Sequence, residues 1–509
     1  MSNKYTIRFV HLIAVICFLL PALNSYAQRN GDSFAFQGFG EPNDLSVKAL
    51  AGGGAYTASS GQLDALFYNP AGLAGITNLQ VSISAAMRSR SWRDNQVWYP
   101  GGSYLLIPQY MENLYTPPEE FNGIWSDSLG NPFGLSWDPA DFKIPVQGAD
   151  PYSEEAADFE NTISNFGLNN IAAAYPFQVL DHNVVVSAAY SFSYGSVDYD
   201  WNGDHLDPHW GSSVSLADLA PADSVVRVNW DVYTRERSLG TSTIKGGVGV
   251  KLSDMFEVGA GVTALFGSTD DVMRLDRIGY FNFIQAGENW SFSYEDYNQI
   301  TSGTSDFSGT GFNVGGIITF DNLSLGFNLQ LPYTIERNWN YNQVTTETGD
   351  QTTKPINGID KMKIPFGYNL GVKFKPSKSL SIQVDYELKP YSEAEFETTS
   401  ELQDDPNRPV WKDQHTISAG VEFKVIDNLS LLAGYRSRTA AFIPYGVAIR
   451  DEGFPAESYT AGLSYQIFIG SLDLAYEFRS LKYYDVYFSS RNYTKVTSNN
   501  LLVGYTISL

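Results

Sequence analysis

Apolar and polar residues alternate along most of this chain, and the period of two persists to its last residue. Leu79, Val81, Ile83, Ala85 and Met87 fall on one side of a strand, with Gln80, Ser82, Ser84 and Arg88 on the other. Val184, Val186, Ala188, Tyr190 and Phe192 repeat the pattern, as do Leu323, Leu325, Phe327, Leu329 and Leu331. Leu380, Ile382, Val384, Tyr386 and Leu388 alternate with Ser381, Gln383, Asp385, Glu387 and Lys389. The chain closes on Leu501, Val503, Tyr505, Ile507 and Leu509. A polar face set against an uninterrupted apolar one, repeated this often, suits strands with lipid on one side and a polar interior on the other. No stretch after residue 30 reaches the roughly 18 apolar residues of a membrane helix. Any membrane crossing is therefore by strands.

Connection lengths set the topology. Short turns fall at 178–183, 253–255, 321–322, 376–378, 426–428 and 469–470, and long polar connections near 93–167, 201–238, 269–307, 341–358, 399–410, 442–456 and 489–497. Short and long alternate throughout, the pattern of an outer-membrane barrel with short periplasmic turns and long extracellular loops. The expected fold is all-β: an antiparallel transmembrane barrel of about fourteen strands over residues 79–509, with both ends on the periplasmic side. Val225 to Leu239 extends the fourth strand outward as one reading of its boundary. The 45 glycines, 32 tyrosines and 31 phenylalanines accord with many strands and turns.

Residues 1–27 read as an export signal: Lys4 and Arg8, an apolar core from Phe9 to Leu20, and small residues at Ser25 and Ala27. The single cysteine, Cys17, lies inside that core, so the exported chain is expected to hold neither disulfides nor thiol chemistry. Without Lys4 and Arg8 the 33 basic residues become 31 against 56 acidic, a formal charge of −25, which argues against a nucleic-acid partner.

Residues 28–78 break the alternation. Gly52, Gly53 and Gly54 are followed by Asn69-Pro70-Ala71-Gly72-Leu73, and a segment so rich in glycine and turns is a poor membrane strand. It is expected to be a compact hatch, a plug inside the barrel, whose glycines allow the backbone to rearrange. Ser46-Val47 through Ala55-Tyr56-Thr57-Ala58, then Asp64-Ala65, then Asn69 to Leu73, resembles the N-terminal region of the FadL/TodX-type outer-membrane transport proteins. Later pairs such as Gly371 to Phe374 with Leu380 to Tyr386 are similar to that family's hairpins. The resemblance implies a fourteen-stranded barrel closed by the hatch, in which Asn69, Pro70 and Ala71 belong to the gating segment. It also implies passive uptake of hydrophobic small molecules, long-chain fatty acids or hydrocarbons, with sideways exit at a kink in the third strand. Gly195 is the candidate for that kink.

Candidate ligand contacts are Phe34, Phe36, Phe39, Leu66 and Phe67, which serve equally well to pack the hatch against the wall. Arg436 and Arg438 sit on the polar face of the eleventh strand, and guanidinium suits a bidentate carboxylate contact. Pairing with inward Glu422, Asp473 or Glu477 is the alternative use of such arginines. Catalysis has little support: only His182, His205, His209 and His415 follow the export signal, Pro208 stands between the two spaced four apart, and no nucleophile motif is present. No cofactor or metal is expected. Expected partners are the hydrophobic substrate, outer-membrane lipid and the barrel-assembly machinery, and the protein is expected to be a monomer. The resemblance also leaves open a second use of the same barrel, as a shuttle that holds secreted proteins at the cell surface, and the long acidic first loop, with Trp98, Trp125 and Trp137, fits that use. A conducting porin is disfavoured by the hatch.

Overall fold

A computed structural model describes residues 36, 46–98, 150–157, 159–192, 207–210, 225–286, 289–294, 297–347, 349–398, 411–441, 454–487 and 490–509. Phe34, Phe39, Gly195 and the export signal lie outside these residues.

The described chain is one antiparallel sheet closed on itself. The first strand, β1 (Gln80–Trp98), pairs with β2 (Phe159–Val179) on one edge and with the final strand, β19 (Ser490–Ser508), on the other. Between them run β3 (His182–Phe192), β5 (Val225–Lys251), β6 (Phe256–Ala286), β8 (Tyr297–Phe320), β9 (Leu323–Gln330) and β10 (Tyr333–Glu347). Then follow β11 (Asp350–Ile364), β12 (Gly367–Phe374), β13 (Leu380–Lys389), β14 (Glu395–Thr398), β15 (Gln414–Ile426), β16 (Leu429–Thr439), β17 (Pro455–Ile467) and β18 (Gly470–Tyr487). Two short pieces, β4 (Asp207–Trp210) and β7 (Asn289–Tyr294), pair only at the long-loop end. Setting those two aside, and joining β9 to β10, β11 to β12 and β13 to β14 as interrupted strands, leaves fourteen barrel strands.

Hairpin chemistry fits the short ends. Leu180 and Asp181 both take positive φ, the twist a two-residue hairpin requires. Around the membrane band the apolar faces point outward: Leu325, Phe327, Leu370, Val372, Ile382 and Val384 are all exposed, as a lipid-facing surface demands.

Two features depart from the alternation. Much of 269–307, 341–358 and 489–497 is not irregular loop but strand, since β6 runs to Ala286, β10 and β11 form one long hairpin, and β19 starts at Ser490. Beyond the membrane the outer face meets water, so the lipid signature ends while the ladder continues. Secondly, the seventh, eighth and ninth barrel strands are each broken near a proline: at Leu331-Pro332, at Pro365-Phe366, and from Pro390 through a 3₁₀ turn at Tyr391–Glu393. At each break the inward and outward faces exchange. Below it Leu325 and Phe327 face out; above it Thr334 and Asn338 do, while Ile335, Arg337, Trp339 and Tyr341 are buried.

Residues 46–78 lie inside the barrel at its short-turn end. Ser46 caps the helix Val47–Ala51, its hydroxyl accepting from the Ala49 amide at 3.0 Å. A second helical turn, Ala65–Tyr68, leads into the 3₁₀ segment Pro70–Gly75. Glycines line the wall at several of the places where this insert touches it. A Cβ on Gly434 would come within 2.2 Å of the Gly53 nitrogen, and one on Gly259 within 2.4 Å of the Ala71 nitrogen. The insert therefore seats backbone against backbone.

Candidate functional site

The insert is held by polar contacts that only a folded barrel brings together. Asp385, inward on β13, accepts hydrogen bonds from the amides of both Tyr56 and Thr57, each at 2.7 Å. Sequence reading missed this carboxylate as a site residue; its signal was only an aspartate on the polar side of an apolar strand. Asn69 is fully buried. Its side-chain amide donates to Thr57 O at 2.7 Å and to the wall carbonyl of Gly316 at 3.2 Å, while its oxygen accepts from Ala71 N and caps the 3₁₀ segment. Pro70 occupies the first position of that segment, where a missing N–H costs nothing. On the other side the Gly53 amide donates to Thr460 Oγ1 at 3.0 Å, with Gly53 and Gly54 at φ of +72° and +85°. The glycine run is thus a tight turn pressed on β16 and β17, a reason for these glycines more immediate than backbone mobility.

Above the insert, toward the long-loop end, the lumen encloses a cavity of about 470 Å³. Its apolar lining is built from Leu265, Phe307, Tyr333, Ile335, Ile364, Pro365, Leu388 and Tyr391. Its floor includes Gly54, Phe67 and Tyr68 of the insert. The remaining wall is polar, mostly Ser, Thr, Asn and Gln, and carries Arg88, Arg90, Arg237, Lys245, Lys389, Arg436, Arg438 and Arg479 against Asp385 and Glu387. Two further carboxylates neutralise from behind, Asp271 to Arg237 at 2.7 Å and Glu477 to Arg436 at 2.5 Å. Among the described residues the lining thus holds eight cations, with these four carboxylates beside them.

The candidates from sequence divide accordingly. Arg436 is locked to Glu477, as the pairing alternative held. Arg438 reaches Thr416 Oγ1 at 3.1 Å and Glu387 at a longer 3.8 Å, and both arginines line the cavity. Phe67 lines it too. Leu66 does not: it is buried with Leu73 and Ile76 against Val185 and Ala189 of the wall, close over Gly247. Phe36 is buried among Phe307, Ile335, Met362, Ile364 and Tyr391, all of which except Met362 line the cavity. Lys245 was not singled out from sequence. Its ammonium donates to the Phe67 carbonyl at 3.3 Å, and among the described residues it has no carboxylate within ion-pair distance.

Fold and site together define an outer-membrane β-barrel whose lumen is filled on the periplasmic side and hollow above. The profile of the outer membrane protein transport protein family (OMPP1/FadL/TodX) matches residues 231–501, and the chain belongs to that family. It is a family of outer-membrane transport proteins rather than enzymes. A Pseudomonas aeruginosa FadL homologue superposes with a TM-score of 0.57 at 14% identity, over 95% of this chain and 99% of its own. The Pseudomonas putida toluene transporter TodX superposes at 0.52 with 13% identity, covering 91% and 97%. The monoaromatic hydrocarbon channel CymD gives 0.50 at 12% identity, over 91% and 97%. At such identities the likeness is one of fold. No curated protein sequence matches the chain.

Proposed function

We propose that this barrel takes up apolar carboxylates, with long-chain fatty acids as the representative class, by passive diffusion past the hatch formed by residues 46–78. The observation that carries the reading is a cavity lined both by apolar side chains, Phe307, Ile335 and Ile364, and by cationic ones, Lys245 and Arg438. A chain leaving water gains about 0.8 kcal/mol per buried CH₂, and a carboxylate meeting the Lys245 ammonium gains orientation. The related toluene and monoaromatic hydrocarbon channels carry names that favour neutral substrates. The part-buried Lys245 ammonium in the cavity wall favours the anionic amphiphile over a neutral hydrocarbon.

Lys245→Met keeps the length of the side chain and removes its charge. It is expected to weaken fatty-acid binding by about 10-fold or more, the value of one hydrogen bond to a charged group, and to leave toluene binding unchanged. Arg438→Gln should act in the same direction. Arg436→Ala is expected to differ, because it leaves Glu477 buried without its arginine and lowers stability before it reports on ligand. Equilibrium binding of a radiolabelled fatty acid to detergent-purified protein separates these cases; a Lys245→Met variant that binds as tightly as the native protein removes the ammonium from the site.

A further inference from the structure

The three proline breaks lie side by side. Pairing of β9 with β12 stops at Gln330 opposite Gly367, and pairing of β10 with β11 begins at Tyr333 opposite Ile364, so two residues on each strand lack ladder partners. One strand further on the gap widens. Tyr368 pairs with Leu388 below it and Lys363 with Glu395 above it, leaving residues 364–367 facing 389–394 without a rung. Prolines at 332, 365 and 390 carry no N–H, so the missing rungs cannot re-form.

The level of the gap follows from the chain. Each break lies about ten residues from the short turn of its hairpin, the length of one membrane-crossing strand. Just below it Tyr368 and Tyr386 face outward with ring centroids 6.1 Å apart, as in an interfacial aromatic girdle. Just above it the ion pairs Lys361–Glu336 and Lys363–Glu395 stand on the outer surface, where hydrocarbon would make them costly. The gap therefore sits at the outer edge of the bilayer. On its inner side is the cavity itself, for Ile364, Pro365, Gly367, Lys389, Pro390 and Tyr391 border both.

We infer that this seam is a side port through which apolar molecules dissolved at the outer face of the membrane enter the cavity, bypassing the extracellular mouth. The inference rests on the uptake reading and adds to it an entry point on the seventh to ninth strands, distinct from the sideways exit expected at a bend in the third. A port on the extracellular side of the hatch serves entry: molecules passing inward through it arrive where the carboxylate-binding cations stand.

The test uses full-length protein in lipid vesicles, its only native cysteine being Cys17 of the export signal. Pro365→Cys, at the seam, and Ser418→Cys, lining the same cavity away from it, are each exposed to N-(1-pyrenyl)maleimide dissolved in the bilayer. Labelling at least 10-fold faster at position 365 is expected; equal rates, or a faster rate at 418, overturn the port. Leu331→Trp supplies the functional arm. Leu331 is 39% exposed at the gap and is not part of the cavity lining, so a larger ring there covers the seam from outside. Fatty-acid uptake by expressing cells should drop about 10-fold while detergent-phase binding stays unchanged, and uptake at the native rate contradicts the proposal. Absence of fatty-acid binding by the native protein sinks the substrate reading instead, and leaves the labelling result to decide the port.

Discussion

Asp385→Ala is expected to turn a closed barrel into a leaky one. The carboxylate receives two hatch amides at 2.7 Å, and each hydrogen bond to a charged group is worth roughly 1.5–3 kcal/mol. Losing both frees Tyr56 and Thr57 in a part of the insert whose remaining ties are few. They are chiefly Asn69 to Gly316, Ser59 to Gln383 and Lys373 to Ser59. The wall itself is untouched, because Asp385 keeps its ladder place opposite Gly371 and Ser418. Planar-bilayer recording should therefore show frequent open steps for the variant and rare ones for the native protein. A variant as silent as the native barrel would mean that wall glycines and apolar packing alone seat the hatch.

Asp271→Ala carries the second large effect, and on stability. Above the membrane band β5, β6, β8, β10 and β11 are joined through one buried polar cluster. Asp271 accepts from Arg237 at 2.7 and 2.9 Å, from Tyr341 at 2.6 Å and from Ser305 at 2.7 Å. Arg337 bridges Asp360 at 2.8 Å to Ser305 at 3.0 Å, and also contacts Tyr341. Removing the central anion takes the Asp271 carboxylate from buried Arg237 and leaves Arg337 held by Asp360, at a cost of about 3–5 kcal/mol. Thermal unfolding in detergent should shift down by several degrees. The paired change Asp271→Leu with Arg237→Met should recover much of the loss, because an apolar replacement of both partners leaves neither charge of that pair buried without the other.

The barrel was legible because lipid imposes one rule on every crossing strand, so that Leu380 to Leu388 announces its outer face without any knowledge of its neighbours. The same rule hid the extracellular extensions. Once water bathes the outer face, Thr334, Glu336 and Asn338 no longer read as a strand, although the ladder runs on to Glu347. The breaks were also masked, because Leu331 continues the apolar face of β9 up to the residue at which Pro332 ends it. Asn69 and the glycine run were recognisable as a compact segment, but their reasons are long-range. Gly434 faces Gly53, Gly259 faces Ala71 and Asp385 faces Tyr56 only after the sheet has closed. Lys245 was invisible for a related cause: a lysine on an inward face means little until its neighbours across the lumen are known.

Equilibrium binding of a long-chain fatty acid to the purified native barrel, repeated with Lys245→Met and Arg438→Gln combined, tests the central claim most directly. Saturable binding that falls by about 100-fold in the double variant, two hydrogen bonds to charged groups at the lower end of their range, while toluene binding is unaffected, is the predicted result. No saturable binding, or binding of equal strength in the double variant, would contradict a cavity that holds the apolar chain at Phe307 and Ile335 and its carboxylate at the cationic wall.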